Sequence, residues 1–73
     1  MKPQQPTTFF TKFGKRCKEI RLKKGLTQED MADHGFSTRF YQRIEAGKPI
    51  HFKTVLKLSQ VFSIPLSELF KGL

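Results

Sequence analysis

The stretch GLTQEDMADHGFSTRFYQRIEAG, residues 25–47, predicts two short helices with a tight break between them. Thr27 and Asp30 have the spacing of a helix N-cap and its N3 partner, so we expect a helix over about residues 28–33. The glycine-containing segment 34–36 then interrupts the helical pattern. The residues that follow repeat the signals of a helix start.

The second helix of this stretch has clear signals at both ends. Ser37 is a favourable N-cap, and Gly47 readily adopts the left-handed conformation in which helices often end. We therefore expect this helix over residues 38–46. Two short helices joined by a tight, glycine-containing turn form a helix-turn-helix motif.

The flanking sequence predicts three further helices. Upstream, apolar residues from Phe10 to Ile20 recur at steps of three and four, which indicates an amphipathic helix over about residues 8–24. Downstream, apolar residues at helical spacing predict a helix over residues 53–62, with Phe52 packed under its start.

A last short helix is expected after Pro65. The residue before a proline is driven out of the helical region, so an extended link precedes a helix over residues 66–71. No stretch alternates with a period of two, and 73 residues suffice for one small domain. The predicted fold is therefore all-α, a compact domain of five helices over residues 8–73, with residues 1–7 as a flexible arm.

The charge balance points to a polyanionic partner. The chain has 14 Lys and Arg residues against 6 Asp and Glu residues, a formal net charge of +8. Residues 1–24 contain eight of the basic residues and one acidic residue. Nucleic acid and an anionic membrane surface both fit such a charge, and a surface that is merely solubilising is the alternative.

Composition argues against several other classes. One cysteine and two histidines match no disulfide framework and no zinc-ligand spacing, so we expect no metal and no cofactor. A domain of this size has little room for a typical enzyme pocket, so we expect no enzymatic activity. The chain lacks an apolar run of the about 20 residues that span a bilayer and lacks a signal-peptide pattern, which predicts a cytoplasmic protein.

The helix over residues 38–46 has two chemically different sides. At about 100° per residue, Tyr41 and Ile44 share one side, and polar residues occupy the other. Arginine can donate two hydrogen bonds to guanine and glutamine can bridge adenine in the DNA major groove, although a solvated polar surface is the alternative. The candidate base-reading residues are Thr38, Arg39, Gln42 and Arg43.

Glu45 falls on the apolar side of this helix, where an unpaired carboxylate is costly. Arg21 lies beside the apolar stripe of the first helix and can grip a carboxylate through two hydrogen bonds. We therefore predict a structural ion pair between Arg21 and Glu45.

Two further sets of candidates follow from position in the helices. Helix N-termini and nearby long side chains commonly bind phosphate. The candidate phosphate contacts are Gln28, Ser37, Lys48 and Lys53. Apolar residues crowd the C-terminus and would be exposed unless a second subunit covered them. The candidate homodimer residues are Leu66, Leu69, Phe70 and Leu73.

Three segments in order, GLTQEDMA (25–32), IEAGK (44–48) and LSELF (66–70), resemble the Cro/repressor (XRE) helix-turn-helix family. The similarity covers about residues 12–71. It implies a lambda-repressor-like fold of five helices. It also implies the function of the family, whose members are typically bacterial or phage transcriptional regulators that bind operators as homodimers.

The resemblance also implies roles for single residues. Gln28 matches a glutamine that contacts a backbone phosphate, and Arg21 and Glu45 match a buried ion pair. The variable positions that read DNA match Thr38, Arg39, Phe40, Gln42 and Arg43.

This chain departs from the family pattern at the turn. The segment from Ala32 to Glu45 is one residue shorter, which tightens the turn. Phe40 replaces a polar or small residue, and we expect it to pack against the turn rather than contact a thymine methyl group.

These features predict a sequence-specific, double-stranded DNA-binding transcriptional regulator, such as a repressor, that occupies an operator as a homodimer. The first alternative is an antitoxin or another protein-interaction module, in which the basic face meets an acidic protein partner. Another alternative, in which the first helix lies on a membrane surface, conflicts with the need for its phenylalanines in the core.

Overall fold

The computed structural model describes residues 5–73, which form helices and connecting segments with no β-strand among them. The five helices confirm the predicted all-α class. They are α1 (Pro6–Lys23), a 3₁₀ helix (Glu29–His34), α2 (Thr38–Glu45), α3 (Phe52–Phe62) and α4 (Leu66–Leu69). None of these helices is long and apolar enough to cross a membrane.

One core joins all five helices. Each helix contributes a side chain with no exposed surface, and burial of one such side chain stabilises the fold by about 1.5–3 kcal/mol. These side chains are Cys17, Met31, Tyr41, Leu58 and Leu69. The helix-turn-helix is therefore held in place by the rest of the domain.

The first helix begins at Pro6, two residues before the predicted start. Proline suits the first turn of a helix because its missing N–H would have no partner there. The predicted arm over residues 1–7 is thus helical at Pro6 and Thr7, and its residues 1–4 lie outside the described residues. At the other end, Gly25 has a φ of 72°, as expected for the residue that ends a helix.

The second helix differs from the expected α-helix because it is wound as a 3₁₀ helix. The predicted capping box is present: the Thr27 N–H donates to Asp30 Oδ2 at 2.7 Å, and the Asp30 N–H donates to Thr27 Oγ1 at 3.0 Å. Gly35 ends the helix with a φ of 89°. A 3₁₀ helix rises about 2.0 Å per residue against about 1.5 Å in an α-helix. The same number of residues therefore spans a greater length when it is wound as a 3₁₀ helix.

Two apolar predictions at the C-terminal half are wrong. Phe52 does not pack under the start of α3, because 59% of its surface is exposed. Leu69 is fully buried in the core and so is unavailable to a second subunit. Near it, the Phe70 ring packs 5.8 Å from that of Phe13, and Leu66, Phe70 and Leu73 are only half-buried.

Helices α1 and α2 approach closely because α1 carries a glycine at the crossing. A Cβ atom on Gly14 would lie 2.6 Å from the carbonyl oxygen of Ile44 and 2.7 Å from that of Glu45. Both distances are far below ordinary contact, so no side chain fits between these backbones. The absence of a side chain at Gly14 therefore fixes how deeply α2 sits against α1.

Candidate nucleic-acid interface

The start of α2 is a capped helix N-terminus on the surface. Ser37 Oγ accepts a hydrogen bond from the Phe40 N–H at 3.1 Å, which confirms the predicted N-cap. The first turn contains no acidic side chain. The positive end of the helix dipole therefore meets solvent without a nearby carboxylate, an arrangement that favours an anion.

The two predicted sides of α2 are separated in the structure. Tyr41 and Ile44 are buried, whereas Arg39, Gln42 and Arg43 are exposed. Thr38, at the first turn, is half-buried. The guanidinium groups of Arg39 and Arg43 form no ion pair with any residue in the range 5–73, so both remain able to donate to a ligand.

The predicted pair between Arg21 and Glu45 anchors the opposite side of α2. Arg21 Nε donates to Glu45 Oε2 at 2.7 Å and Nη2 donates to Oε1 at 3.2 Å, a two-point contact. The two side chains are only 7% and 6% exposed. Arg21 Nη1 also donates to the carbonyl oxygen of Leu26 at 2.8 Å, which ties the segment before the 3₁₀ helix to the same guanidinium.

Both members of this pair are held in their charged forms. Burial raises the pKa of Glu45, but hydrogen bonds from Arg21 and Gln28 outweigh it and leave that pKa below its usual value. The hydrogen bond to Glu45 raises the pKa of Arg21. A buried ion pair with extra hydrogen bonds on its free positions meets the condition under which such a pair is tolerated.

A chain of hydrogen bonds runs from this pair to the exposed side of α2. Gln28 Nε2 donates to Glu45 Oε1 at 3.0 Å, and Gln42 Nε2 donates to Gln28 Oε1 at 3.3 Å. Sequence reasoning placed Gln28 and Gln42 in two separate roles and missed this contact. No sequence pattern pointed to it, because Gln28 and Gln42 are 14 positions apart and come together only through packing.

The family model described as helix-turn-helix matches residues 18–69, which is most of the chain. The chain belongs to the Cro/repressor (XRE) helix-turn-helix family. A curated relative is the SPbeta prophage-derived uncharacterized HTH-type transcriptional regulator YonR of Bacillus subtilis (strain 168), 39% identical over 62 residues. The alignment covers 82% of this chain and 57% of the relative, so the chain spans less than two thirds of that protein. No solved structure matches the chain.

The remaining predicted phosphate contacts of this helix-turn-helix lie at helix ends. Lys48 follows α2, and its backbone N–H donates to the carbonyl oxygen of Arg43 at 3.1 Å. Lys53 is the second residue of α3. Both lysine side chains are exposed and form no ion pair within residues 5–73.

Phe40 packs against the turn of the helix-turn-helix, as predicted. Its ring stacks on that of Phe36 with centroids 6.2 Å apart and an interplanar angle of 7°. Phe36 is buried, but 41% of the Phe40 surface is exposed. The Phe40 side chain also lines a pocket together with Lys53, Leu56 and Lys57 of α3.

Cys17 lies beneath α2 in the core. It is fully buried, and burial raises the pKa of its thiol to about 12. A thiol in this state is a poor nucleophile, so Cys17 acts as a small apolar side chain. His34 and His51 are both exposed at segment ends.

Proposed function

We propose that this protein is a sequence-specific, double-stranded DNA-binding transcriptional regulator that occupies an operator as a homodimer. In this proposal α2 and the adjoining Ala46 lie in the major groove. The observation that carries the proposal is the exposed row of Arg39, Gln42 and Arg43 on α2. This row stands opposite a buried ion pair that fixes the helix.

The chemistry of the exposed row suits base recognition. Arg39 and Arg43 each have the donor fork that matches guanine O6 and N7, and the Gln42 amide matches adenine N6 and N7. Ala46 is small enough to permit close approach of the backbone to the groove. Thr38 can reach a base edge or a phosphate from the first turn.

Phosphate contacts would set the position of the domain on the duplex. The N-terminus of α2 at Ser37 offers backbone N–H groups and a favourable dipole, and Lys48 and Lys53 offer mobile ammonium groups. Gln28 is placed differently, because its amide is already bound to Glu45 and Gln42. We propose that Gln28 contacts phosphate only with the hydrogen-bonding capacity that these two bonds leave.

A homodimer is proposed because a single helix in one half-site seldom gives sufficient affinity. Leu66, Phe70 and Leu73 keep part of their surface exposed and can meet a second copy. Leu69 is left out because it is fully buried. Regulation of transcription, as opposed to DNA binding alone, is supported by the name of the relative, an HTH-type transcriptional regulator.

Selection from a randomised duplex library tests the proposal. The purified protein is mixed with the library at about 50 and about 200 mM salt, and bound duplexes are sequenced. The expected result is a motif with two-fold symmetry that persists at the higher salt. Uniform loss of binding without any enriched motif would overturn the proposal.

A variant set separates base reading from general charge. Arg43→Ala should relax base preference at one position of each half-site, whereas Lys48→Ala should weaken binding to all sequences and reduce the salt dependence. Lys18→Ala, which removes an exposed lysine from α1, is the matched control for loss of one charge. An equal effect of all three variants would show that binding is electrostatic only.

A further inference from the structure

An apolar groove lies between the turn and α3, beside the exposed polar side of α2. Its volume is about 560 Å³. Phe36, Phe40 and Leu56 form its apolar walls, and Lys53 and Lys57 are the charged residues that line it. Only Lys53 of these has a place in the proposed DNA contacts.

Two apolar side chains that line the groove, and a third on the same helix as one of them, are left uncovered by the fold. Phe40 and Leu56 are each 41% exposed, and Phe52, one turn before Leu56 on α3, is 59% exposed. Adjacent exposed side chains of this size are unusual on a monomer and commonly mark a binding surface. Leu22, which is 58% exposed, stands on a different helix.

The charge on the rim of the groove is entirely positive. Lys57 Nζ donates to the carbonyl oxygen of Gly35 at 2.8 Å and lies 4.7 Å from the centre of the Phe36 ring. This contact holds an ammonium group at the edge of the apolar surface with further N–H donors free. Lys53 adds a second charge, and none of the lining residues is acidic.

The positive rim argues against a second copy of this chain as the occupant. In a two-fold interface the same patch meets itself, so Lys53 and Lys57 of both copies would crowd together without an acidic partner. An acidic occupant meets no such obstacle.

We propose that this groove binds an acidic amphipathic segment of another protein. Apolar side chains one helical turn apart on that segment pack between Phe40 and Leu56, in the manner of a helix laid into a groove. Carboxylates beside them pair with Lys53 and Lys57, which fixes the register of the segment. The protein would then carry a protein-binding surface that shares Lys53 with its proposed DNA contacts.

Selection from a random peptide library displayed on phage, with the full chain as bait, tests this proposal. The expected peptides combine two large apolar residues three or four positions apart with neighbouring Asp or Glu. A synthetic peptide of the most enriched sequence is then titrated against the protein and its variants by fluorescence anisotropy. Absence of an enriched acidic and apolar class would overturn the proposal.

The variants locate the binding surface. Leu56→Ser should weaken peptide binding by roughly tenfold or more, the loss expected for a central apolar anchor. Lys57→Gln should weaken it less and reduce its salt dependence. Leu22→Ser, which removes a more exposed leucine from α1, is the matched control and should bind as the parent does. Equal binding by Leu56→Ser would overturn the proposal.

Measurements of DNA binding and of oligomeric state distinguish binding in the groove from DNA binding and from self-association. Leu56→Ser should bind duplex DNA as the parent does, and Arg43→Ala should bind the peptide as the parent does, so a failure of DNA binding is distinguishable from a failure of the groove. Sedimentation equilibrium of Leu56→Ser should leave the oligomeric state unchanged. Conversion of a dimer to a monomer by this variant would identify a second copy as the occupant and overturn the proposal.

Discussion

The two sides of α2 differ in their contacts: the side that faces α1 is fixed by buried contacts, and the side that faces solvent is largely free of them. On the α1 side, Gly14 allows contact between backbones, and the Arg21–Glu45 pair adds a two-point hydrogen bond. On the solvent side, Arg39 and Arg43 are exposed and make no ion pair within residues 5–73. The anchored side determines where the helix lies, and the exposed side is left to determine what it contacts.

The two sides are connected through the glutamine chain. Gln28 accepts from Gln42 on the exposed side and donates to Glu45 on the anchored side. The orientation of the Gln42 amide is therefore coupled to the buried ion pair. Arg39 and Arg43 reach solvent without a hydrogen bond to that pair. This difference separates changes that alter stability from changes that alter recognition alone.

The largest expected effect is on the anchored side. Glu45→Ala should lower the free energy of unfolding by about 3–5 kcal/mol, because it leaves the Arg21 guanidinium buried without its partner. Urea unfolding followed by circular dichroism measures this change. Glu29→Ala, which removes an exposed carboxylate, should cost less than about 1 kcal/mol.

If Glu45→Ala does not fold, the double variant Arg21→Met with Glu45→Leu keeps the prediction testable. Replacement of both charges by apolar side chains of similar size should restore folding, because no stranded charge remains. A cost for Glu45→Ala as small as that of Glu29→Ala would mean that the ion pair is not the anchor of α2.

A smaller loss is expected at the helix crossing. Alanine in place of a helical glycine usually stabilises a protein by about 0.5–1 kcal/mol. Gly14→Ala should instead destabilise the protein, lowering the free energy of unfolding by about 1–3 kcal/mol, because the new Cβ would meet the backbone carbonyls of Ile44 and Glu45. Lys15→Ala at the next, exposed position is the control for urea unfolding. A gain in stability from Gly14→Ala would contradict the close approach.

The anchored side should also make stability depend on pH. The folded pKa of Glu45 lies below the ordinary value of 4.5, so the unfolded chain binds this proton more readily. Stability from the pair is therefore complete above that pH and is lost as pH falls through the lower, folded pKa. The stability difference between the parent and Glu45→Gln should narrow on acidification, measured by urea unfolding from pH 7 to pH 3. A constant difference would contradict the lowered pKa.

The smallest effect on stability is expected on the exposed side. Arg43→Ala should change the free energy of unfolding by less than about 0.5 kcal/mol, since the guanidinium is exposed. The same variant should change discrimination at one base pair by about 1–3 kcal/mol in competition binding with duplex DNA. A large loss of stability would show that Arg43 belongs to the anchored side.

Local signals predicted much of the helix-turn-helix because their chemistry acts within one turn. The capping box of Thr27 with Asp30, the cap at Ser37 and the helix end at Gly47 all depend on neighbours three or four residues away. The Arg21–Glu45 pair was also predictable, since a carboxylate on an apolar side demands a cation. The structure confirms each of these features.

Other features depended on how the helices meet. The sequence placed Phe52 in the core and Leu69 at a subunit interface, and the structure reverses both. Hydrophobicity alone does not specify which of several apolar residues is covered, because that depends on the neighbouring helix. The Gln28–Gln42 contact likewise required knowledge of how the 3₁₀ helix sits beside α2.

The sequence by itself determined the five helices, the family and the division of α2 into an apolar and a polar side. It did so because periodicity, caps and glycines act through local backbone chemistry. Only the tertiary structure decided that Gly14 fits α2 directly against α1, that the glutamines link the ion pair to the exposed side, and that an apolar groove stays open beside α3. These features arise from distances between segments far apart in the chain, which packing of the whole core sets at once.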